Sequence, residues 1–357
     1  MGIKNIAILT GGGDCPGLNA AIRAIAKTAM YDYGWNVIGI LDGYQGLISG
    51  KKRNLKPADV SNILTLGGTI LGTSNKADPF EKSVSGAEIL SKSVLENLDK
   101  WEVDALFCIG GDGTNTVANK ISKVWPNIIG VPKTIDNDLL CTDQTFGFDT
   151  ACAFVTESLD RIHSTAQSHH RAMVIEVMGR YAGWIALAGG LAGGGDVILI
   201  PEIPFKWEAI CEAINRRSRI GKRFSIVVVS EGAHPAGEKM VVRKLIKDSP
   251  DPIRLGGIGQ VVADRIELET GIESRVTVLG HLQRGGSPSF FDRILATKYG
   301  VAAVRMAYAG KFGTMAAMRE GRMVPVSLDE VTAGLKLVKE NDELVVAAKS
   351  LGTSFGV

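Results

Sequence analysis

Short apolar runs rich in β-branched residues alternate along the chain with segments whose apolar positions recur at the helical period. AILT, ALFCI and IVVVS are apolar at consecutive positions, which is typical of strands buried on both faces of a parallel sheet. The predicted strands are Ile6–Thr10, Val37–Leu41, Ala105–Ile109, Ile128–Val131, Ala172–Val177, Val197–Ile200, Ser225–Ser230 and Arg275–Leu279. The predicted helices are Leu18–Met30, Ala87–Lys100, Asn115–Val124, Asp149–Thr165, Tyr181–Leu191, Trp207–Ile220, Ile258–Leu268 and Phe290–Ala309. This alternation predicts a doubly wound α/β fold.

The composition adds an excess of glycine to this pattern. Glycine makes up 43 of 357 residues, well above the usual share of roughly 7%, whereas proline contributes only 12. With 45% hydrophobic and 22% charged residues, the chain is an ordinary globular one. Its 40 basic and 38 acidic residues leave a net charge of +2, which argues against a nucleic-acid or membrane-surface binder.

Cysteine usage points to a reducing compartment. The five cysteines are odd in number, widely spaced and without a CxxC pair, so we expect a cytoplasmic protein with neither a disulfide framework nor a zinc cluster. The histidines lack metal-binding spacing, and no apolar run reaches 18 residues. We therefore expect no membrane-spanning segment and no signal peptide.

Much of the informative glycine follows predicted strands. Gly11–Gly17 joins the first strand to a helix, where backbone N–H groups and the helix N-terminus favour an anion such as phosphate. A tight turn without a ligand is the alternative. Neither the Rossmann fingerprint nor GxxxxGK[ST] is present, which excludes an ordinary P-loop nucleotide hydrolase.

The second glycine-rich junction, Gly110–Asn115, contains a carboxylate, Asp112. A carboxylate beside a phosphate site is expected when Mg²⁺ lies between the two, because Mg²⁺ binds one or two carboxylates together with phosphate oxygens. The alternative is that Asp112 caps the following helix. Capping, however, leaves the flanking glycines unexplained.

The third junction, Pro132–Asp138, carries two carboxylates, Asp136 and Asp138, two positions apart. In an extended chain they face the same side, so one can accept a hydroxyl proton while the other holds metal or orients its partner. A polar Asx turn is the alternative. Three such loops at successive strand ends favour a ligand site, because open α/β sheets bind ligands at that edge.

Three later strand ends again pair a charged side chain with glycine. They are Met178-Gly179-Arg180, Ser230-Glu231-Gly232 and His281–Gly286. Arginines directed at one cleft indicate a second phosphate-bearing ligand. For any one of them alone, a surface ion pair is the simpler interpretation.

Taken together, these segments resemble the phosphofructokinase family. The resemblance covers about 300 residues and rests on LTGGGDCPGLNAAIR (9–23), DGYQGL (42–47), GGTILGTS (67–74), GGDGTN (110–115), PKTIDND (132–138), SHHR (168–171), VMGRYAG (177–183) and VTVLGHLQRGGSPSFFDR (276–293). GGDGT also occurs in NAD kinases and diacylglycerol kinases. PKTIDND together with MGR and GHLQRGG is highly specific. An assignment as an NAD kinase is disfavoured because it does not explain the PKTIDND and GHLQRGG segments.

The resemblance implies phosphoryl transfer from ATP to the 1-hydroxyl of fructose 6-phosphate, giving fructose 1,6-bisphosphate in glycolysis. Asp136 matches the general base, and Thr134 and Asp138 match the residues that orient it and contact the phosphoryl group. Asp112 matches the Mg²⁺-linked aspartate and Arg180 the arginine that stabilises the transferring group. The positions implied on the ATP side are Gly12, Tyr44, Lys76, Gly111, Asp112, Gly113, Thr114 and Lys133.

On the sugar side, the resemblance implies contacts from Thr134, Asp136, Met178, Gly179, Arg180, Glu231, His281 and Arg284. Arg171 and Arg275 match arginines that reach the sugar phosphate from a neighbouring subunit. This implies a homo-oligomer, a dimer or a tetramer.

Two positions disagree on the phosphoryl donor. Gly113 stands where pyrophosphate-dependent members have an acidic residue that repels the nucleotide α-phosphate, which favours ATP. Lys133 stands where ATP-only bacterial members have glycine. The pyrophosphate enzymes and one ATP-using branch of the same lineage have lysine at this position, as this chain does. We weight Gly113 more heavily and predict ATP, with a pyrophosphate-dependent phosphotransferase as the alternative. Asn75 and Lys76 replace a usual arginine, so we expect Lys76 to supply that charge.

A non-catalytic sugar-phosphate-binding subunit is disfavoured because Asp112, Asp136, Asp138 and Arg180 are all present. Basic residues in the segments that correspond to the bacterial effector site are interpreted as solvated helix ends. Those residues are Arg23, Lys27, Lys222 and Arg223.

The fold implied by the resemblance is two doubly wound Rossmann-like lobes with an active-site cleft between them. We expect residues 1–147 with 255–310 to form a larger ATP-binding lobe. Residues 148–254 with 311–357 are expected to form a smaller sugar-phosphate lobe. The tail from Val324 is predicted to form one or two closing helices, with no chemistry assigned.

Overall fold

The computed structural model describes residues 2–82, 88–245 and 253–357. Its strands are β1 Asn5–Thr10, β2 Asn36–Ile40, β3 Lys52–Leu55, β4 Phe80–Lys82, β5 Glu88–Leu90, β6 Ala105–Gly110, β7 Ile128–Thr134, β8 Phe146–Gly147, β9 Ala172–Val177, β10 Val197–Leu199, β11 Ser225–Ser230, β12 Val242–Leu245, β13 Ile253–Leu255, β14 Ser274–Val278, β15 Thr314–Arg319 and β16 Arg322–Ser327. Its helices are α1 Leu18–Tyr33, α2 Tyr44–Ser49, α3 Lys92–Lys100, α4 Asp112–Ser122, α5 Phe148–His169, α6 Trp184–Ala192, α7 Trp207–Arg219, α8 Ile258–Thr270, α9 Phe290–Tyr308, α10 Leu328–Val331 and α11 Glu343–Ser350, with a 3₁₀ helix at Gly280–Arg284.

The larger sheet has a parallel centre and antiparallel margins. Its strand order is β16-β15-β7-β6-β1-β2-β3, with β8 paired to β7. β2, β1, β6, β7 and β15 run parallel, while β3 and β16 are antiparallel to their neighbours. The residues of β1, β6 and β7 are buried almost throughout, as expected for strands covered on both faces.

The smaller sheet contains β10, β11, β9 and β14 in that order, and all of its strands are parallel. Two-stranded antiparallel ribbons, β4 with β5 and β12 with β13, lie outside both sheets. The described residues therefore confirm the predicted α/β fold with mainly parallel sheets.

The helices α1 and α9 pack very closely on the larger sheet. At Gly300 of α9, an added Cβ would come within 2.6 Å of the Cβ of Ala24 on α1. The space between the two helices therefore excludes a side chain at that position. This contact ties residues 290–308 to the larger lobe.

The predicted strands and helices are largely found, and the described residues also contain short elements that the prediction lacked, such as β3, β8 and α2. Glu88–Leu90 forms a strand where the prediction began a helix, and Ala87 lies outside the described residues. The prediction also lacked the β15–β16 hairpin, and the tail that was expected to be helical from Val324 begins within β16. Two short helices, α10 and α11, do follow it.

Strand pairing corrects two segments of the predicted lobe division. Residues 255–310 were assigned to the larger lobe, but β14 pairs with β9 in the smaller sheet. Residues 311–357 were assigned to the smaller lobe, but β15 pairs with β7 in the larger sheet. Local patterns identify a strand, whereas its partner depends on residues far away in the chain. The division into two lobes otherwise stays a prediction.

Candidate active site

Most of the predicted site residues follow the carboxyl ends of parallel strands from both sheets. The loops after β1, β6 and β7 come from the larger sheet, and those after β9, β11 and β14 come from the smaller. Strands in register at these ends, such as Thr10 with Ile109 and Ser230 with Val177, place successive loops side by side. This is the edge at which open α/β sheets bind ligands.

The loop after β1 is held by the segment that contains Thr73 and Ser74. The Thr73 hydroxyl donates to the Gly12 carbonyl at 2.7 Å, and the Gly12 amide donates to the Ser74 carbonyl at 3.1 Å. Gly12 has φ +77°, a conformation that favours glycine. The loop thus presents a fixed backbone. Lys76, two residues beyond Ser74, is exposed.

Two glycines make room for the Thr114 side chain rather than for a ligand. An added Cβ would lie 2.6 Å from the Thr114 Oγ1 at Gly11 and 2.2 Å from the Thr114 Cβ at Gly110. Thr114 is buried, and its carbonyl accepts a hydrogen bond from the Tyr44 hydroxyl at 2.8 Å. Tyr44 is itself buried, and its hydrogen bond holds the backbone at the start of α4. Its predicted contact with the nucleotide stays a prediction.

Asp112 is the first residue of α4 and does not cap it. The N-cap position belongs to Gly111, which has no side-chain cap, so the alternative that Asp112 is the capping residue is wrong. Burial raises the pKa of Asp112, and the positive charge of Arg180 partly offsets that rise. Gly113 is exposed, and an added Cβ there would meet no atom within 4 Å.

Asp136 is buried just after β7, and Asp138 is half-buried two positions later. The Asp136 amide donates to the Thr134 hydroxyl oxygen at 3.1 Å, and that hydroxyl lies 3.4 Å from Asp136 Oδ2. The Oδ1 atoms of both aspartates are buried without a hydrogen-bond partner among the described residues. Burial, then the charge of Asp136, raises the pKa of Asp138 to about 7. The two carboxylates therefore lack enough cationic and hydrogen-bond-donor partners within the protein, as expected for a site at which a ligand supplies them.

Lys133 and Arg284 meet at the glycine loop after β1. Lys133, which is only 3% exposed, donates from its ammonium to the Gly13 carbonyl, and Arg284 Nη1 donates to the Asp14 carbonyl at 3.1 Å. Burial lowers the pKa of Lys133, whereas the charges of Cys15, Asp136 and Asp14 raise it. In this structure Arg284, predicted on the sugar side, thus contacts the loop predicted to bind the donor.

Arg180 and Glu231 are linked across the ends of β9 and β11. The Arg180 amide donates to Glu231 Oε1 at 3.2 Å, and Arg180 has a left-handed backbone with φ +49°. An added Cβ at Gly232 would lie 1.8 Å from the Arg180 carbonyl, so only glycine fits there. Burial and the charge of Asp136 raise the pKa of Glu231 to about 7. Residues from both sheets therefore share one electrostatic cluster.

Gln283 is a contact that the sequence analysis did not single out, although it lies within GHLQRGG. Its Oε1 accepts from the Met178 amide at 3.3 Å, and its Nε2 donates to the Gly280 carbonyl at 3.1 Å. It ties the loop after β14 to the Met178-Gly179 loop. His281, two residues earlier, is exposed.

Arg171 and Arg275 lie at the opposite edge of the smaller sheet. Both form ion pairs with Glu273, Arg171 Nε at 2.9 Å from Oε2. Arg171 precedes β9, so roughly 20 Å of strand separates it from Met178 at the far end. That distance exceeds the reach of an arginine side chain. Neither arginine is brought to the site of its own chain.

The donor set fits Mg²⁺ held jointly with nucleotide phosphates. Within the described part of the chain, no group of three His, Cys, Asp or Glu side chains forms a metal cluster. Asp112 and the buried, unpartnered oxygens of Asp136 and Asp138 supply carboxylate oxygens, the ligands that Mg²⁺ prefers. Such a site needs phosphate oxygens to complete it.

A family model described as phosphofructokinase matches residues 5–307. The chain belongs to the phosphofructokinase family. The chain is 54% identical to "ATP-dependent 6-phosphofructokinase 2" of Clostridium perfringens over 99% of this chain and 98% of the relative. It is also 50% identical to a pyrophosphate–fructose 6-phosphate 1-phosphotransferase of Amycolatopsis methanolica, over 93% and 96% of the two chains.

Solved phosphofructokinase structures share the fold. The pyrophosphate-dependent phosphofructokinase of Nitrosospira multiformis superposes with a TM-score of 0.81 at 25% identity, covering 98% of this chain and 91% of its own. The T-state phosphofructokinase of Pichia pastoris gives 0.79 at 35% identity, covering 93% of this chain but 36% of its own. The family membership predicted from the motifs is confirmed.

Two further observations bear on the remaining expectations for this phosphofructokinase. All five cysteines are free thiols. In the described residues, no helix has both the length and the apolar character that a membrane crossing requires.

Proposed function

We propose that this phosphofructokinase transfers the γ-phosphoryl group of ATP to the 1-hydroxyl of D-fructose 6-phosphate, giving ADP and fructose 1,6-bisphosphate in glycolysis. The observation that best supports this proposal is the cluster of charged residues at the carboxyl ends of strands from both sheets. There, the buried, unpartnered Oδ1 of Asp136 belongs to the same electrostatic cluster as Arg180 and Glu231, which follow strands of the other sheet. A base, a cation and a sugar-binding carboxylate are the parts this transfer needs.

In the proposed reaction, Asp136 takes the proton of the sugar 1-hydroxyl. The hydroxyl oxygen forms a bond to the γ-phosphorus while the bond from that phosphorus to the β,γ-bridging oxygen breaks, and ADP leaves. Thr134 and Asp138 orient the base. Arg180 stabilises the charge on the transferring group, and most of the catalysis comes from such positioning and charge stabilisation.

On the ATP side, Asp112 would hold Mg²⁺, which when bound neutralises phosphate charge. Backbone at Gly12, Gly111 and Gly113 approaches the phosphates, and Thr114 keeps the two glycine loops apart. The ammonium of Lys133, which lies against the glycine loop after β1, would interact with the phosphates of ATP. Exposed Lys76 would reach the donor from the neighbouring segment.

On the sugar side, Met178, Gly179, Glu231, His281 and Arg284 bind fructose 6-phosphate. Arg171 and Arg275 lie far from the site of their own chain and would serve the site of a neighbouring subunit. The active enzyme is therefore a homo-oligomer, a dimer or a tetramer. The free thiols suit a reducing cytoplasm.

Pyrophosphate is the alternative donor, because Lys133 matches pyrophosphate enzymes and two relatives at 50% and 49% identity bear that name. The exposed, open position of Gly113 favours ATP, since no side chain there crowds an α-phosphate.

A coupled assay of the purified enzyme with fructose 6-phosphate decides between the donors. We expect the higher kcat/KM with ATP. Turnover with pyrophosphate and none with ATP would refute the donor assignment, and turnover with neither would refute the proposed activity.

A further inference from the structure

The chain returns to the candidate active site through its tail. Residues 335–338, which we call the strap, follow α10 and pass behind the loop that carries Asp136 and Asp138. Leu335 forms a β-bridge with Leu139, and the Lys336 amide donates to the Asp138 carbonyl at 2.8 Å. The strap therefore holds the backbone of a catalytic aspartate directly.

The Lys336 side chain adds three more bonds to the same loop. Its Nζ donates to Asn137 Oδ1 at 3.0 Å, to the Thr142 carbonyl at 3.1 Å and to the Asp143 carbonyl at 2.9 Å. These acceptors use all three N–H groups of an ammonium. Burial lowers the pKa of Lys336 to about 8, while the charge of Asp138 raises it, so the ammonium is mostly present at pH 7.

Asn137 is the residue that sets the relative position of the two aspartates. It stands between them with φ +52°, a left-handed conformation that costs an ordinary residue energy. Its Oδ1 accepts the Thr145 amide at 3.1 Å in addition to Lys336. Because this turn sets where both carboxylates lie, Lys336 controls Asp136 without touching it.

The other side of the strap contacts the loop that carries Arg180. Trp184 Nε1 donates to the Lys336 carbonyl at 2.7 Å. The Val338 amide donates to Glu202 Oε1 at 2.9 Å, and the same carboxylate accepts from the Gly183 amide at 3.0 Å. Gly183 and Trp184 directly follow the Arg180 loop and begin α6. One short segment thus joins the loops of the base and of the phosphoryl-stabilising arginine.

We propose that Lys336 is a positioning residue for phosphoryl transfer, which through the strap sets Asp136 and Asp138 against Arg180. The proposal rests on the proposed function above. A base displaced by about 1 Å can lose a factor of about 100 in rate, because the reacting atoms must be aligned. Among the described residues, the hydrogen bonds of Lys336 go to Asn137, Asp138, Thr142, Asp143 and Trp184 and not to a predicted sugar-binding residue, so substrate binding should persist without it.

The test compares Lys336→Met, Lys336→Arg and Lys339→Met. Methionine keeps most of the length but removes the charge and all donors, arginine keeps both, and Lys339 is an exposed lysine of the same tail. We expect Lys336→Met to lower kcat about 10- to 100-fold with the KM for fructose 6-phosphate within twofold of wild type. Lys336→Arg should restore much of kcat, and Lys339→Met should match wild type.

Unchanged kcat in Lys336→Met overturns the proposal. So does an equal loss in Lys336→Met and Lys336→Arg with a raised KM and a lowered Tm, which would indicate a structural role only. If Lys336→Met does not fold, Lys336→Gln replaces it under the same criteria.

Hydrogen exchange separates this proposal from the proposed function, because it needs no turnover. In Lys336→Met, amides of 135–146 and of 180–186 should exchange faster than in Lys339→Met. A wild-type enzyme inactive with both donors would refute the function, while unchanged exchange in both segments would refute the strap.

Discussion

The backbone amide of Arg180 donates to Oε1 of Glu231, so the two charged groups assigned to phosphoryl and sugar are held by one hydrogen bond. Arg180 reaches this arrangement through a left-handed backbone, and Gly232 leaves room for its carbonyl. Strain of this kind persists where the surroundings enforce it, and it often marks a functional site.

Glu231 should make sugar binding depend on pH. Its pKa is about 7, so the carboxylate form, the better acceptor for a sugar hydroxyl, grows as pH rises from 6 to 8. We expect kcat/KM for fructose 6-phosphate to rise over this range at saturating ATP. Glu231→Gln should lower kcat/KM about 10- to 100-fold and weaken the rise, since a charged hydrogen bond contributes about 1.5–3 kcal/mol. Identical pH profiles would contradict this role.

Asp136→Asn should separate binding from turnover. The amide has the size of the carboxylate but cannot take the hydroxyl proton, and general-base catalysis contributes about 10²- to 10⁴-fold. We expect kcat to fall by such a factor, while calorimetry gives an affinity for fructose 6-phosphate within a few-fold of wild type. Activity near the wild-type level would show that another group acts as the base.

Gly113→Asp should impair the use of ATP without unfolding the protein. The position is exposed and open, so the side chain fits, but its charge would face the nucleotide phosphates. We expect the KM for ATP to rise at least tenfold with Tm unchanged. Gly113→Asn, of equal size and no charge, is the matched control and should have a clearly smaller effect. Equal effects of the two variants would point to size rather than charge.

Asp292→Asn tests the electrostatics of the helix contact between α5 and α9. Asp292 is fully buried, its Oδ2 accepts from Thr150 N at 2.8 Å and from the Thr150 hydroxyl, and burial raises its pKa to about 6. A carboxyl whose folded pKa is raised stabilises the fold below its unfolded pKa, and that contribution is lost as pH rises through about 6. Asparagine has no such dependence.

The free energy of unfolding of Asp292→Asn relative to wild type should therefore be higher at pH 7.5 than at pH 5.0, by about 1 kcal/mol. Urea denaturation at the two pH values measures this difference. The opposite sign, with the variant gaining stability as pH falls, would show that Asp292 is stabilising as a carboxylate.

The positions of the candidate site residues at strand ends follow from local sequence patterns, whereas the sheet to which a strand belongs does not. Asp112, Asp136, Arg180 and Glu231 follow strands whose apolar runs are local signals, and parallel strands bring their carboxyl ends to one edge. The sheet to which β14 belongs depends on pairing with β9, about a hundred residues earlier, and no local pattern carries that information. The packing at Gly11 and Gly110 could not be predicted either, because the Thr114 side chain of α4 occupies the space that a Cβ would need at both glycines.

Lys336 was beyond prediction for the same reason. The tail around Lys336 contains no glycine-rich or charged motif that points to its partners. Those partners belong to loops about two hundred residues earlier in the chain. Only the fold shows that this lysine faces Asn137. A motif search by itself reports residues that touch ligands and leaves out the residues that hold them.

The strap also couples the two loops mechanically. Leu335 and Lys336 bond to the loop that carries Asp136 and Asp138, while Val338 shares the Glu202 carboxylate with the Gly183 amide at the start of α6. A displacement of one loop is therefore transmitted to the other through a short stretch of hydrogen-bonded backbone. Base and arginine then move as one body when a ligand binds at either side of the site.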